Sequence, residues 1–83
     1  MTDSQQEIEQ TLADVFREVL EIPIKYDISN LTMLESEKWD SLSQVLIVSA
    51  IEAQFGISFS AKDFALFTSF KAAKLILIEK LST

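Results

Sequence analysis

Trp39-Asp40-Ser41-Leu42, followed by the apolar run Val45-Leu46-Ile47-Val48, is the stretch best equipped for chemistry. An aspartate at such a boundary reads as a helix N-cap, its carboxylate accepting N–H groups that the first turn leaves unpaired. Ser41 then opens the helix, with its side chain able to project into solvent rather than into a core. Free N–H groups and the positive end of the helix dipole favour an anion there, and a phosphate suits the position well. A hydroxyl held at such a helix start can be esterified by a phosphoryl group without disturbing any packing. An Asp-Ser-Leu tripeptide also serves simply to cap helices, so its meaning depends on whether the rest of the chain agrees.

The composition removes most rival chemistries. The chain has 83 residues, enough for one self-folding domain but not for a deep substrate cleft as well. With no Cys there are no disulfides, thiolate metal sites or protein thiol nucleophile, and with no His the usual general base and imidazole metal ligand are missing. Neither a catalytic residue nor a metal site is expected. A net charge of −6, with acidic residues weighted toward the first half, disfavours nucleic acid and anionic membrane and favours basic docking surfaces. The polar start Thr2-Asp3-Ser4-Gln5-Gln6 and the lack of a long apolar run predict no signal peptide, no membrane span and a cytoplasmic location.

Pro23 and Gly56 are the only strong breakers, and the apolar spacing is mostly helical, so an all-α domain is expected over residues 1–83. Ser4-Gln5-Gln6-Glu7 has the capping-box pattern, and Ile8, Leu12, Val15, Phe16 and Val19 follow at helical spacing as one buried stripe. Pro23 ends that helix near Leu20 or Glu21. The connection from Ile22 to Trp39 is long, and Ile24, Ile28, Leu31, Met33, Leu34 and Tyr26 are candidate apolar anchors for it. Its Glu35 and Glu37 stand close to Ser41 in sequence; they form either a solvated loop or a landing area for a basic partner, and both readings stay open.

The second helix is predicted from Ser41 to Phe55, closed by Gly56 as a left-handed C-cap. On its wheel Ile47, Ile51 and Phe55 share an inward face, whereas Leu42, Val45, Leu46, Ser49 and Ala53 cluster on roughly the opposite side. So small a domain does not easily bury both faces, and an exposed apolar strip marks a contact surface. Val45, Leu46 and Ser49 are therefore candidate partner contacts, with Leu42 the residue the loop would cover first. Beyond Gly56, Ile57 and Phe59 are core plugs, Ser60-Ala61-Lys62-Asp63 starts a short helix carrying Phe64 and Phe67, and Thr68 or Ser69 caps the last helix. That helix has Phe70, Ala73, Leu77 and Leu81 inward, with Leu75 and Ile78 as further apolar surface, read as core packing.

Taken together, Asp40-Ser41-Leu42, the segment Glu52-Ala53-Gln54-Phe55-Gly56-Ile57 and the helix start Thr68-Ser69-Phe70 resemble an acyl carrier protein over nearly the whole chain. The resemblance implies a four-helix bundle with three longer helices, a short third one and a long loop after the first. It implies a discrete carrier that is not itself an enzyme. Ser41 would hold 4′-phosphopantetheine covalently, delivered from coenzyme A by a magnesium-using phosphopantetheinyl transferase. Asp40 and Leu42 would position the serine and meet that transferase. The arm ends in a thiol, so a chain without cysteine could still carry acyl or aminoacyl thioesters to an acyl-loading enzyme, synthase or acyltransferase. The second helix would be the recognition helix, and a monomer is expected.

One departure bears on the pathway. Carriers of general fatty acid synthesis place several acidic residues along the recognition helix, whereas this one has only Glu52 and puts Leu46 where glutamate is common. A more hydrophobic interface is implied, in a specialised pathway of polyketide, peptide or sugar-acylation type, and Trp39 before the motif is similar to specialised carriers and is counted among the partner contacts. An unmodified helical interaction module with a carrier-like fold is the alternative. A serine hydrolase using Lys38 as base is disfavoured, because no glycine-rich elbow or oxyanion hole accompanies Ser41.

Overall fold

Leu12, Ala13, Phe16 and Leu20 recur at helical spacing and are all buried, so one apolar stripe fixes the first helix. The computed structural model describes residues 2–82, with side chains from residue 5 onward, and this helix is α1, Thr2–Leu20. Leu12 and Phe16 of the predicted stripe reach the centre, while Ile8, Val15 and Val19 flank it. The helix begins two residues before Ser4, so Ser4 lies within α1 and is not its cap. It ends as Pro23 requires. Glu21 turns left-handed (φ 56°), and the Ile22 N–H donates to the Arg17 carbonyl at 3.0 Å, closing a Schellman turn.

The connection that follows contains two 3₁₀ turns, Ile28–Asn30 and Met33–Glu35. Ile28 and Leu31 are buried and Met33 partly so, as expected, but Ile24, Tyr26 and Leu34 are exposed, Leu34 to 99%. Hydrogen bonds pin this stretch where apolar anchors were predicted. The Arg17 guanidinium donates to the carbonyls of Tyr26 (2.9 Å) and Ile24 (3.4 Å). Downstream, the Met33 N–H donates to the Thr68 carbonyl (2.9 Å) and the Phe70 N–H to the Leu31 carbonyl (3.0 Å), forming an antiparallel bridge between Thr32 and Ser69. The connection is thereby stitched to the start of the last helix.

Trp39 ends the connection, and its place corrects an expectation. It is 3% exposed, so it is a core residue and not a partner contact. Its ring meets Phe16 edge-on at 5.1 Å, and Phe16 meets Phe70 the same way at 5.3 Å. These aromatic pairs join the segment before Ser41 to the first and last helices, each adding about 0.5–1.5 kcal/mol beyond area burial.

The remaining helices are α2 (Ser41–Phe55), α3 (Ala61–Leu66) and α4 (Phe70–Ser82). The result is the expected all-α four-helix bundle with three longer helices and a short third. In α2, Ile47 and Ile51 are buried and Phe55 partly so, joined by Val48 and Gln44. Gly56 closes it in the left-handed region (φ 66°), with the N–H groups of Gly56 and Ile57 both donating to the Glu52 carbonyl. A reciprocal capping box between Ser60 and Asp63 starts α3, and Ser69 caps α4 by accepting from the Ala72 N–H at 3.0 Å. Phe70, Ala73 and Leu77 are buried as predicted. Leu75, two positions from both Ala73 and Leu77, points away from that stripe and is 69% exposed; Leu81, in the final turn, is also exposed. Lys74 pairs with Glu9 (2.9 Å) and Lys80 with Asp63 (3.0 Å), tying α4 to α1 and α3. No helix among the described residues is long and apolar enough to cross a membrane.

Two stability predictions follow from the caps. A methyl group at Gly56 meets no atom within 4 Å, so Gly56→Ala isolates the backbone cost of the left-handed residue. It should cost about 1–2 kcal/mol, lowering the melting temperature by roughly 5–10 °C in circular dichroism. The second concerns pH. Asp27, Asp40 and Asp63 are all held below the ordinary aspartate value of 3.8, by hydrogen bonds from the Ser29 side chain, the Ser43 N–H and the Ser60 N–H respectively. A carboxylate with a depressed folded-state pKa stabilises the fold above its unfolded value and loses that contribution as pH falls through the folded one. Urea midpoints should therefore decline on acidification below pH 3.8, and Asp27→Asn should make that decline shallower.

Candidate functional site

Asp40 adopts extended backbone geometry, and its Oδ1 accepts from the Ser43 N–H at 2.9 Å. That bond is the chief reason its carboxyl stays ionised to lower pH than usual. Ser43 in turn donates its hydroxyl to the Lys38 carbonyl at 2.6 Å, fixing the turn that leads into α2. Between these two bonds sits Ser41, the first residue of the helix. Its side chain is exposed, and among the described residues none hydrogen-bonds its hydroxyl. The N–H groups of the opening turn lie beside it, as at any helix start.

Behind Ser41 lies a contact that the sequence reading missed. Gln44 is 4% exposed, and its side chain makes three hydrogen bonds. Its Oε1 accepts from the Trp39 indole N–H at 2.7 Å, and its Nε2 donates to the carbonyls of Phe64 (2.9 Å) and Phe67 (3.1 Å). A single carboxamide thus joins the residue before the motif, the start of α2 and the end of α3. The signal was present in the spacing: Gln44, Ile47, Val48 and Ile51 form one helical stripe, with a polar residue in a core position.

An open groove of ≈ 600 Å³ runs past this point. Asp40, Ser41, Gln44 and Thr68 line it together with the apolar Met33, Val45, Phe64 and Ala65. Away from the groove, Leu42 (70%) and Leu46 (50%) are exposed along with Ser49 and Ala53, and Val45 (48%) stands between this strip and the groove it lines. The loop does not cover Leu42. Glu35 and Glu37 are exposed too, but they line a separate cleft with Glu21, Pro23 and Tyr26 and do not reach the Ser41 groove. Lys38 directs its ammonium to Glu21 at 3.0 Å.

The family model for the phosphopantetheine attachment site matches residues 10–73, from within α1 to Ala73 in α4. The chain belongs to this carrier family. No curated protein and no solved structure matches it. The family's domain is the site of covalently attached 4′-phosphopantetheine, and partner enzymes act on what such carriers hold. The residues at the head of α2 fit that group: an exposed hydroxyl, a capped helix start that favours a phosphate, and an open groove alongside.

Gln44 gives this carrier a measurable dependence. Gln44→Leu roughly keeps the volume but leaves the Trp39 indole N–H and the Phe67 carbonyl without a partner, and the Phe64 carbonyl with only the Phe67 N–H. The unfolding free energy should fall by about 2–4 kcal/mol in urea titrations, far more than for Gln54→Leu at an exposed position of the same helix.

Proposed function

We propose that Ser41 is the residue that carries the arm, and that residues 1–83 form one carrier domain that performs no catalysis of its own. The observation supporting this most directly is the exposed hydroxyl at the first position of a helix capped by Asp40. When bound, the arm supplies a terminal thiol on which acyl or aminoacyl groups are held as thioesters. The chain's own residues hold the serine in place. Asp40 fixes the helix start, the Ser43–Lys38 bond fixes the turn before it, and Trp39 anchors that turn in the core. The carrier's contribution is address and proximity, since tethering raises the effective concentration of cargo at a docked enzyme.

Leu42, Val45, Leu46 and Ser49 form the docking face for a phosphopantetheinyl transferase and for an acyl-loading enzyme, synthase or acyltransferase. Glu52 supplies the acidic side chain of α2, and its Oε2 accepts from the Phe59 N–H at 2.7 Å. The exposed part of the helix therefore offers partners apolar surface, which supports a specialised pathway over general fatty acid synthesis. Glu35 and Glu37 add a separate acidic contact for a basic partner. The carrier works as a cytoplasmic monomer.

Two experiments test this reading. Incubation of the apo protein with coenzyme A and a broad-specificity transferase should add one phosphopantetheine by intact mass, and Ser41→Ala should add none. If the wild type gains no mass, the chain is an unmodified interaction module. Leu46→Glu should leave the circular dichroism spectrum and melting temperature unchanged yet lower kcat/KM for loading about 3–10-fold. Unchanged kinetics would remove Leu46 from the docking face.

A further inference from the structure

Cargo tethered at Ser41 meets the groove between the start of α2 and the end of α3. Its apolar sides include Met33, Val45 and Phe64, but its buried member is the carboxamide of Gln44. That carboxamide is fully engaged, accepting from the Trp39 indole and donating to the Phe64 and Phe67 carbonyls. Trp39 and Phe67 are themselves core residues, continuous with Ile47 and Ile51, which have no exposure. An alkyl chain passing inward would have to displace the amide, leaving the Trp39 indole N–H and the Phe67 carbonyl unpaired and the Phe64 carbonyl with the Phe67 N–H alone, while offering no hydrogen bond in return. A short or hydroxylated acyl group needs no such passage. It rests at the mouth, where the polar side chains of Asp40 and Thr68 are exposed.

We propose that Gln44 determines cargo class: it closes the interior to long alkyl chains, so the carrier presents short or polar acyl groups held outside the bundle. The proposal rests on Ser41 as the attachment point, and the experiment separates the two. The apo protein is loaded with acetyl-, 3-hydroxybutyryl- and octanoyl-coenzyme A by a broad-specificity transferase, and each product is confirmed by mass. Cleavage of each thioester by neutral hydroxylamine is then followed by mass. The indole N–H signal of the chain's single tryptophan is compared in ¹H–¹⁵N spectra.

In the wild type the three cleavage rates should agree within about threefold, since an unsequestered thioester is equally accessible whatever its chain length. The Trp39 indole signal should coincide in the acetyl and octanoyl forms. Gln44→Leu should slow cleavage of the octanoyl form alone, by more than about threefold. Octanoyl protection beyond that factor in the wild type, or a displaced indole signal, overturns the proposal, as does a folded Gln44→Leu variant with equal rates. If Gln44→Leu does not fold, the wild-type comparison decides alone. Failure of every thioester to add at Ser41 overturns the attachment reading instead.

Discussion

The three hydrogen bonds of one buried carboxamide hold the working end of this carrier together. Gln44 bonds backward to Trp39 and across to the end of α3, at a point where three chain segments converge with little regular structure between them. Within a low-dielectric interior such a network is strong when complete and costly when broken, so it specifies one arrangement. Trp39 extends that constraint into the core through Phe16 and Phe70. The exposed serine two residues further on is thus mounted on the most firmly determined part of the fold. On the proposal that Ser41 carries the arm, this network gives a mobile group a fixed base.

The second helix is apolar on two sides for two different reasons. Its inner stripe of Ile47, Val48 and Ile51 is consumed by packing against α1 and the rest of the core. Its outer strip of Leu42, Val45 and Leu46 is left in solvent beside the serine. Isolated exposed apolar residues are ordinary, but a contiguous strip next to Ser41 fits the docking face proposed above. Because the acidic residues lie mainly on α1 and the loop, charge and apolar contact are separated on the surface.

Much of this was legible in the sequence because local signals carried it. The Asp40 cap, the Gly56 terminus, the Ser60–Asp63 box and the buried stripes of α2 and α4 each depend on residues a few positions apart. The failures came where long-range geometry decides. Ile24 and Leu34 look like anchors, yet Arg17 and a bridge to residues 68–70 hold the loop, leaving those side chains outside. Trp39, adjacent to the motif, was assigned to partners; its burial depends on Phe16, far away in sequence. Gln44 is polar, yet its spacing from Ile47 and Ile51 places it inside, where its partners Phe64 and Phe67 lie about twenty residues further on.

The short helix α3 has no fully buried residue within it: Phe64 packs partly against the core, and its ends are held by the Gln44 amide, the buried Phe67 that follows, the Ser60–Asp63 box and the Asp63–Lys80 pair. With six residues and less apolar burial than α1 or α2, its amides should open to solvent before theirs do. Opening of α3 must break the two Gln44 bonds to Phe64 and Phe67, so the wall facing the serine and the network beneath it loosen together.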